Sequence, residues 1–274
     1  MSELKWIDTH AHYNHGKFKG RGKDVILSVK KDVEKVINVG TNTKSNMETL
    51  QLLSLHDHVY GILGYFPTDV WELEQKFSQS AQANWLVLKK QLTNDKVVAV
   101  GEIGLDYNWD KVGNFAFGDD ARKLQQKWFR NQIELAKELK LPVCIHSRDA
   151  EEDTVRIFKE YTELPGVVHC YAYGARTAKI ALDKGLYLGV GGTSTYARNT
   201  ELREAIKMCP IDRILLETDC PYLSPEPVRR ETNNSSFITY VIDNICSIKN
   251  MNREDVINAT NENAYRLFKF GGAR

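Results

Sequence analysis

The chain has 274 residues, 42% of them apolar, which is enough to bury the core of one sizeable catalytic domain. With 37 basic against 36 acidic residues its net charge is +1, which excludes whole-molecule attraction to a polyanion and leaves any nucleic-acid contact to local patches. Five cysteines, an odd number without CxxC spacing, exclude a disulfide framework and a cysteine-based zinc module, and no apolar run reaches the length of a signal-peptide core or a membrane span.

These features predict a soluble protein of a reducing compartment, cytoplasmic, or nucleocytoplasmic in a eukaryote, with no membrane partner. No linker, tandem repeat or low-complexity segment interrupts the chain, so one domain is expected over residues 1–274, its oligomeric state open and a monomer included. In chain order, strands are expected at 4–9, 33–40 and 59–65, a helix at 78–91 and a strand at 97–103. A long helix follows at 121–140, where Phe129, Ile133 and Ala136 recur on one face. A strand at 141–145, a helix at 154–161, a strand at 166–168, a helix at 175–184, a strand at 185–190, a helix at 201–209, a strand at 213–218 and a helix at 237–248 complete the pattern.

Eight strands interleaved with helices describe a parallel sheet wrapped by helices, either an open doubly wound sheet or a (β/α)8 TIM barrel. The polar residues decide for the barrel, whose strands gather reactive groups at one mouth formed by their C-terminal ends. His10 and His12 follow the first strand, Glu102 lies near the end of the fourth, His146 and His169 follow the fifth and sixth, and Asp219 follows the eighth.

Side chains two apart on a strand share a face, so His10 and His12 can both enter the mouth. Four imidazoles and two carboxylates exceed the needs of one tetrahedral ion, which takes three protein ligands and keeps one place for water or substrate. Two divalent metal ions are the natural solution, with Glu102, between the histidine groups, as the bridge. Paired ions roughly 3.5–4 Å apart clamp the attacking and departing oxygens of a displacement and make a hydroxide available near neutral pH. Asp219 can ligate one ion and accept the proton of the attacking water. Imidazole with carboxylate suits zinc, manganese or iron, whereas magnesium prefers oxygen donors. The residues alone therefore point to metal-assisted hydrolysis, with Asp219 and Glu102 as the catalytic carboxylates.

Five sequence blocks carry a more specific signal: DTHAH at 8–12, GEIGLDY at 101–107, LPVCIHSRDA at 141–150, VVHCY at 167–171 and LLETDCPYL at 215–223, with a further echo in TNENAYRLF at 260–268. In these blocks, which span nearly the whole chain, the protein resembles the TatD-type metal-dependent deoxyribonucleases, a branch of the amidohydrolase-like barrel superfamily. The resemblance implies that His10, His12 and Asp219 bind one metal, that His146 and His169 bind the second, and that Glu102 joins them. It also implies phosphodiester hydrolysis on DNA, as a 3′ to 5′ exonuclease using magnesium, manganese or zinc. The chain departs from the family after the third strand, where Gly-x-His-Pro-His is replaced by Gly64-Tyr65-Phe66-Pro67-Thr68, losing a polar contact to substrate or leaving group. The family's HCF, followed by a small residue and Gly, reads His169-Cys170-Tyr171-Ala172-Tyr173.

Candidate substrate contacts come from the surrounding loops. Lys17, Lys19, Arg21 and Lys23 alternate with glycines around Phe18, either as a phosphate-binding loop with a stacking ring or as a solvated loop. Arg148 and Arg229 can meet a phosphate as planar forks, Arg230 reads as a surface ion pair, and Tyr171 is a further candidate contact. Asp106 and Tyr107 either orient metal ligands and line the pocket or close a turn. A single-stranded DNA substrate or a 3′ end fits best, because a base at a narrow mouth must be unstacked to reach the metals. The same hydroxide chemistry would also hydrolyse a small amide, lactone or phosphoester, and a barrel that binds nucleic acid without catalysis is the reading from another class.

Overall fold

The structure, a computed structural model, describes residues 4–76, 78–108 and 118–271, so both ends of the expected 1–274 domain lie outside it. Eight strands form one sheet in sequence order: β1 (Trp6–Ala11), β2 (Val33–Val39), β3 (Val59–Leu63), β4 (Val97–Asp106), β5 (Val143–Arg148), β6 (Gly166–Val168), β7 (Leu186–Val190) and β8 (Ile214–Leu216). Each neighbouring pair from β1 to β8 is parallel. The sheet closes where β1 meets the end of β8: His12 donates its backbone N–H to the Cys220 carbonyl at 2.8 Å, and Asp219 donates to that of His10 at 2.9 Å. This is the (β/α)8 barrel that the strand-end donors predict.

Between the strands lie α1 (Gly22–Val29), α2 (Thr43–Leu55), α3 (Asp69–Lys76), α4 (Ser78–Gln91), α5 (Asp119–Leu139), α6 (Glu151–Lys159), α7 (Ala175–Asp183) and α8 (Thr200–Met208), with α9 (Ile238–Lys249) and α10 (Arg253–Phe268) after β8. Four of these, α1, α2, α3 and α10, are absent from the sequence expectation. The reason is plain in α2, whose buried face carries Asn46 and Thr49 beside Leu53 and so shows no apolar stripe. It is started instead by its cap, where Asn42 Oδ1 accepts the Ser45 N–H at 3.0 Å and Ser45 Oγ accepts the Asn42 N–H at 3.0 Å.

Every residue of β1 and β4 is buried, as befits parallel strands covered on one side by helices and filled on the other by the barrel interior. Ile7, Ile37, Ile62, Val98, Tyr187 and Leu215 form part of that interior, and Ala264, Leu267 and Phe268 of α10 pack into the same cluster. α10 thereby closes the end of the barrel opposite the mouth. Its asparagines bind backbone groups at the start of β1 and around the start of β8: Asn261 Oδ1 accepts the Ile7 N–H at 3.0 Å, and Asn263 Nδ2 donates to the Ile211 and Ile214 carbonyls at 2.8 Å. The TNENAYRLF block is thus the plug of the barrel.

Three strands run further than the apolar pattern suggests. β1 continues to Ala11, β4 to Asp106 and β5 to Arg148, so His10 and His146 join Glu102 within strands. Polar side chains interrupt an apolar run, but backbone ladder hydrogen bonds do not depend on side-chain type. Gly104 marks a tight passage between β4 and β5: at φ 138° it lies where a Cβ would come within 2.0 Å of the His146 carbonyl oxygen, so the two strands can approach only with glycine there. Among the described residues, no helix is long and apolar enough to cross a membrane.

Candidate metal centre

Asp8, His10 and His12 lie along β1, whose register shifts between Asp8 and Ala11 and brings both histidines to the mouth. Asp8 is fully buried and anchors the β1–β8 seam, its Oδ1 accepting the N–H groups of His10 (3.2 Å) and Thr218 (3.1 Å) and its Oδ2 accepting the hydroxyls of Thr218 (2.7 Å) and Ser235 (2.6 Å). Burial pushes its carboxyl up to about 7 against the pull of these hydrogen bonds. The seam fixes the backbone of both histidines above it.

At the mouth, His10 Nε2 and His12 Nε2 stand 3.1 Å apart. The Val39 carbonyl lies 3.1 Å from His12 Nδ1 and is placed to accept its proton, so that Nε2 is the nitrogen turned to the cluster. Glu102 Oε2 is 3.5 Å from His10 Nε2 and 3.7 Å from His12 Nε2, while Asp219 Oδ1 is 3.8 and 3.3 Å from the same two nitrogens. The other oxygen, Glu102 Oε1, lies 2.8 Å from His146 Nδ1 and 3.0 Å from His169 Nε2. One carboxylate therefore divides its two oxygens between two histidine pairs. An ion at ordinary nitrogen and oxygen bond lengths holds tetrahedral donors roughly 3.4 Å apart. The spacing of these donors matches that edge, and three overlapping triads have ligand atoms within 4.8 Å of one another: His10–His12–Glu102, His10–His169–Asp219 and Glu102–His146–His169. Once their protons are displaced, these imidazole nitrogens and the two carboxylates converge on common points that a cation can occupy. The residues fit a divalent metal.

Each imidazole also has a partner on its far side. His146 Nε2 is 3.2 Å from Asp106 Oδ2, His169 Nδ1 is 3.5 Å from Glu217 Oε1, and His10 Nδ1 is 3.4 Å from the Cys144 sulfur. The His10 and His169 rings stack at 3.7 Å. Such partners hold ring orientation and tautomer. Burial raises the Glu102 carboxyl, but the charge of His169 and the hydrogen bonds of His10, His146 and His169 hold it well below the usual carboxylate range. Burial likewise works against ionised Asp219, yet its hydrogen bond with His12 and the charges of His169, His12 and His10 keep it lowered. Asp219 adopts φ 56°, a left-handed backbone that an aspartate tolerates better than most residues, and so turns its carboxylate back toward His12.

The cluster opens into a cavity of about 780 Å³ lined by His12, Glu102, His146, His169 and Asp219, with Phe66, Arg148 and Tyr222 among the residues around them. Asp106 both lines this cavity and bonds His146. Tyr107 does neither; it is buried and donates to Asp153 Oδ2 at 2.7 Å. Phe66, standing where the family's histidine is expected, sets its ring 4.6 Å from that of His146.

Of the expected substrate contacts, the structure brings Arg148 to the cavity, exposed at the end of β5. Lys17 reaches the lip, its ammonium 4.0 Å from the Tyr222 ring centroid. Lys19 is exposed and lies outside the lining, where it caps the short turn Gly16–Phe18 at φ 51°. Arg229 is stacked 3.6 Å over Tyr196, away from the lining. Tyr171 is not brought to the cavity: it is 2% exposed and donates its hydroxyl to the Gly174 carbonyl at 2.8 Å. Phe18 is not a free stacking ring either; the turn points it inward against Tyr13, with centroids 5.1 Å apart.

Glu217 is the important residue that sequence reasoning misses. It is 1% exposed, accepts the Cys170 N–H at 2.5 Å and faces His169. An acid two residues before Asp219, at the end of an apolar strand, is the available signal.

A family profile described as TatD related DNase matches residues 7–269. The chain belongs to the TatD family. A TatD-family relative of Bacillus subtilis, described as the uncharacterized metal-dependent hydrolase YabD, is 36% identical over 266 residues, covering 96% of this chain and 98% of its own length. The Salmonella typhimurium protein described as the 3′-5′ ssDNA/RNA exonuclease TatD is 28% identical, covering 92% and 94% of the two chains. The crystal structure of the TatD homologue YjjV from Escherichia coli superposes with a TM-score of 0.81 at 29% identity, over 97% of this chain and 98% of that one. The chain is thus a metal-dependent hydrolase of the TatD family on a (β/α)8 barrel.

Proposed function

We propose that this hydrolase cleaves DNA phosphodiester bonds as a 3′ to 5′ exonuclease acting on single-stranded ends. The observation that carries the reading is the split carboxylate of Glu102, one oxygen facing His10 and His12 and the other facing His146 and His169. Two divalent ions are the proposed occupants, the first held by His10, His12 and Asp219, the second by His146 and His169, with Glu102 between them. Zinc or manganese suits such imidazole-rich donors, and magnesium is the third candidate. Bound there, the ions would supply a hydroxide near neutral pH and neutralise the charge that builds on the phosphate.

The chain's own groups do the rest. Asp219, ionised and turned toward His12, accepts the proton of the attacking water. Arg148, exposed at the cavity rim, pairs with a phosphate oxygen and sets the backbone of the strand. A cavity of about 780 Å³ admits a nucleotide but not a duplex, so the terminal base must leave its stack. The full-length likeness to a relative named for ssDNA/RNA exonuclease action supports this substrate class.

With manganese or magnesium, wild type is expected to shorten a 5′-labelled single-stranded oligonucleotide, and Asp219→Asn to lose this activity. Intact DNA and RNA alongside turnover of a small ester or amide would overturn the nuclease reading.

A further inference from the structure

Among the described residues, Tyr222 is the one large aromatic that is both exposed, at 38%, and part of the cavity lining. Its backbone is pinned on both sides: the N–H donates to the Asp219 carbonyl at 3.0 Å, and the carbonyl accepts Asn233 Nδ2 at 2.7 Å. The side chain is held as well. Its hydroxyl lies 2.8 Å from His15 Nε2, the two rings meet edge-on at 5.1 Å, and Lys17 covers one ring face at 4.0 Å.

Fixing an exposed side chain loses rotamer entropy without the return that burial gives. A ring fixed in advance loses little more on binding, which is what makes rigid aromatics effective ligand anchors. With the Lys17 ammonium over one face, a planar ligand would take the other, three residues from Asp219 in the chain. Phe66 adds a second ring to the same cavity.

We infer that Tyr222, clamped by His15 and Lys17, is a nucleobase platform that receives the unpaired terminal base of a single-stranded substrate. This inference rests on the nuclease reading and deepens it, because it names what selects an unstacked end. A free base offers a whole π face to the ring, whereas a base inside a duplex has both faces covered. Lys17 then acts as a clamp on the platform rather than as a phosphate ligand.

The test uses two single-stranded oligonucleotides that differ only in the 3′-terminal residue, one bearing a base and the other an abasic tetrahydrofuran. Wild type, Tyr222→Ala and Tyr222→Trp are compared with manganese present, reading kcat/KM for release of that residue. Because the ratio is taken within one protein, a loss of folded fraction cancels. Base stacking on an aromatic ring should make wild type favour the base-bearing end by roughly 5- to 150-fold, mainly through KM. The ratio should fall toward one in Tyr222→Ala and persist in Tyr222→Trp. An unchanged ratio in Tyr222→Ala, or a wild-type ratio of one, overturns the platform and leaves the nuclease reading standing. Failure of wild type to cut either oligonucleotide with manganese, magnesium or zinc overturns both.

Discussion

At the mouth of the barrel, imidazoles and carboxylates are crowded 2.8 to 3.8 Å apart, whereas at the opposite end Ala264, Leu267 and Phe268 of α10 fill an apolar floor whose asparagines satisfy the strand backbone. Both ends are buried, but they are built for different purposes. The floor is complete without any ligand, since its asparagines pair with backbone groups and its apolar side chains pack against the strands. The mouth is complete only when positive charge, of protons or of metal ions, sits among its imidazoles and carboxylates. Stability should therefore be concentrated at the floor and chemistry at the mouth, and variants at each end can break or sharpen that separation.

The largest effect is expected at the floor. Phe268 is 3% exposed, and Phe268→Ala should cost about 3–5 kcal/mol of stability through lost burial and a residual cavity. Calorimetry should show a melting temperature lowered by roughly 2–4 °C per kcal/mol for a chain of this size. Turnover per folded molecule should stay within about twofold at 25 °C; a large fall in kcat for the folded fraction would mean the two ends are coupled.

A smaller effect, of the opposite kind, is expected at the mouth. Glu217→Gln keeps the size of the side chain but removes the charge facing His169, and should weaken metal affinity or activity about 10- to 100-fold. Its melting temperature should move much less than that of Phe268→Ala. If titration with manganese gives the wild-type affinity, Glu217 does not orient His169 as described.

The smallest effect is expected from Asn261→Ala, which removes the acceptor of the Ile7 N–H and the donor to the Lys5 carbonyl. The cost should be about 1 kcal/mol, because solvent can replace part of this pairing. Denaturant unfolding measures it, and an unaltered midpoint would show that the asparagine is dispensable to the seam.

The barrel and its donors are legible in the sequence because both leave short-range signatures. Buried parallel strands read as apolar runs, and His10, His12, Glu102, His146, His169 and Asp219 each stand at the end of one. What escaped the sequence depends on where a side chain is sent by a backbone turn or a distant partner. Phe18 sits among lysines and glycines and reads as exposed, yet the left-handed cap at Lys19 closes a turn that buries it. Tyr171 stands two residues after His169 and reads as a substrate contact, but Cys170 at φ 45° turns the chain and sends the ring into the core. Glu217 is hidden among apolar neighbours, and its partner His169 lies 48 positions away in the chain. α2 shows the same limit for a helix, since a start written in Asn42 and Ser45 leaves no periodic trace.

The account depends most on Glu102 serving both histidine pairs at once, and elemental analysis of protein equilibrated with manganese or zinc tests this directly. Wild type should hold two divalent ions per chain and Glu102→Ala at most one. A wild-type protein that takes up no divalent ion, or a Glu102→Ala variant that holds as many as wild type with unchanged affinity, would contradict it.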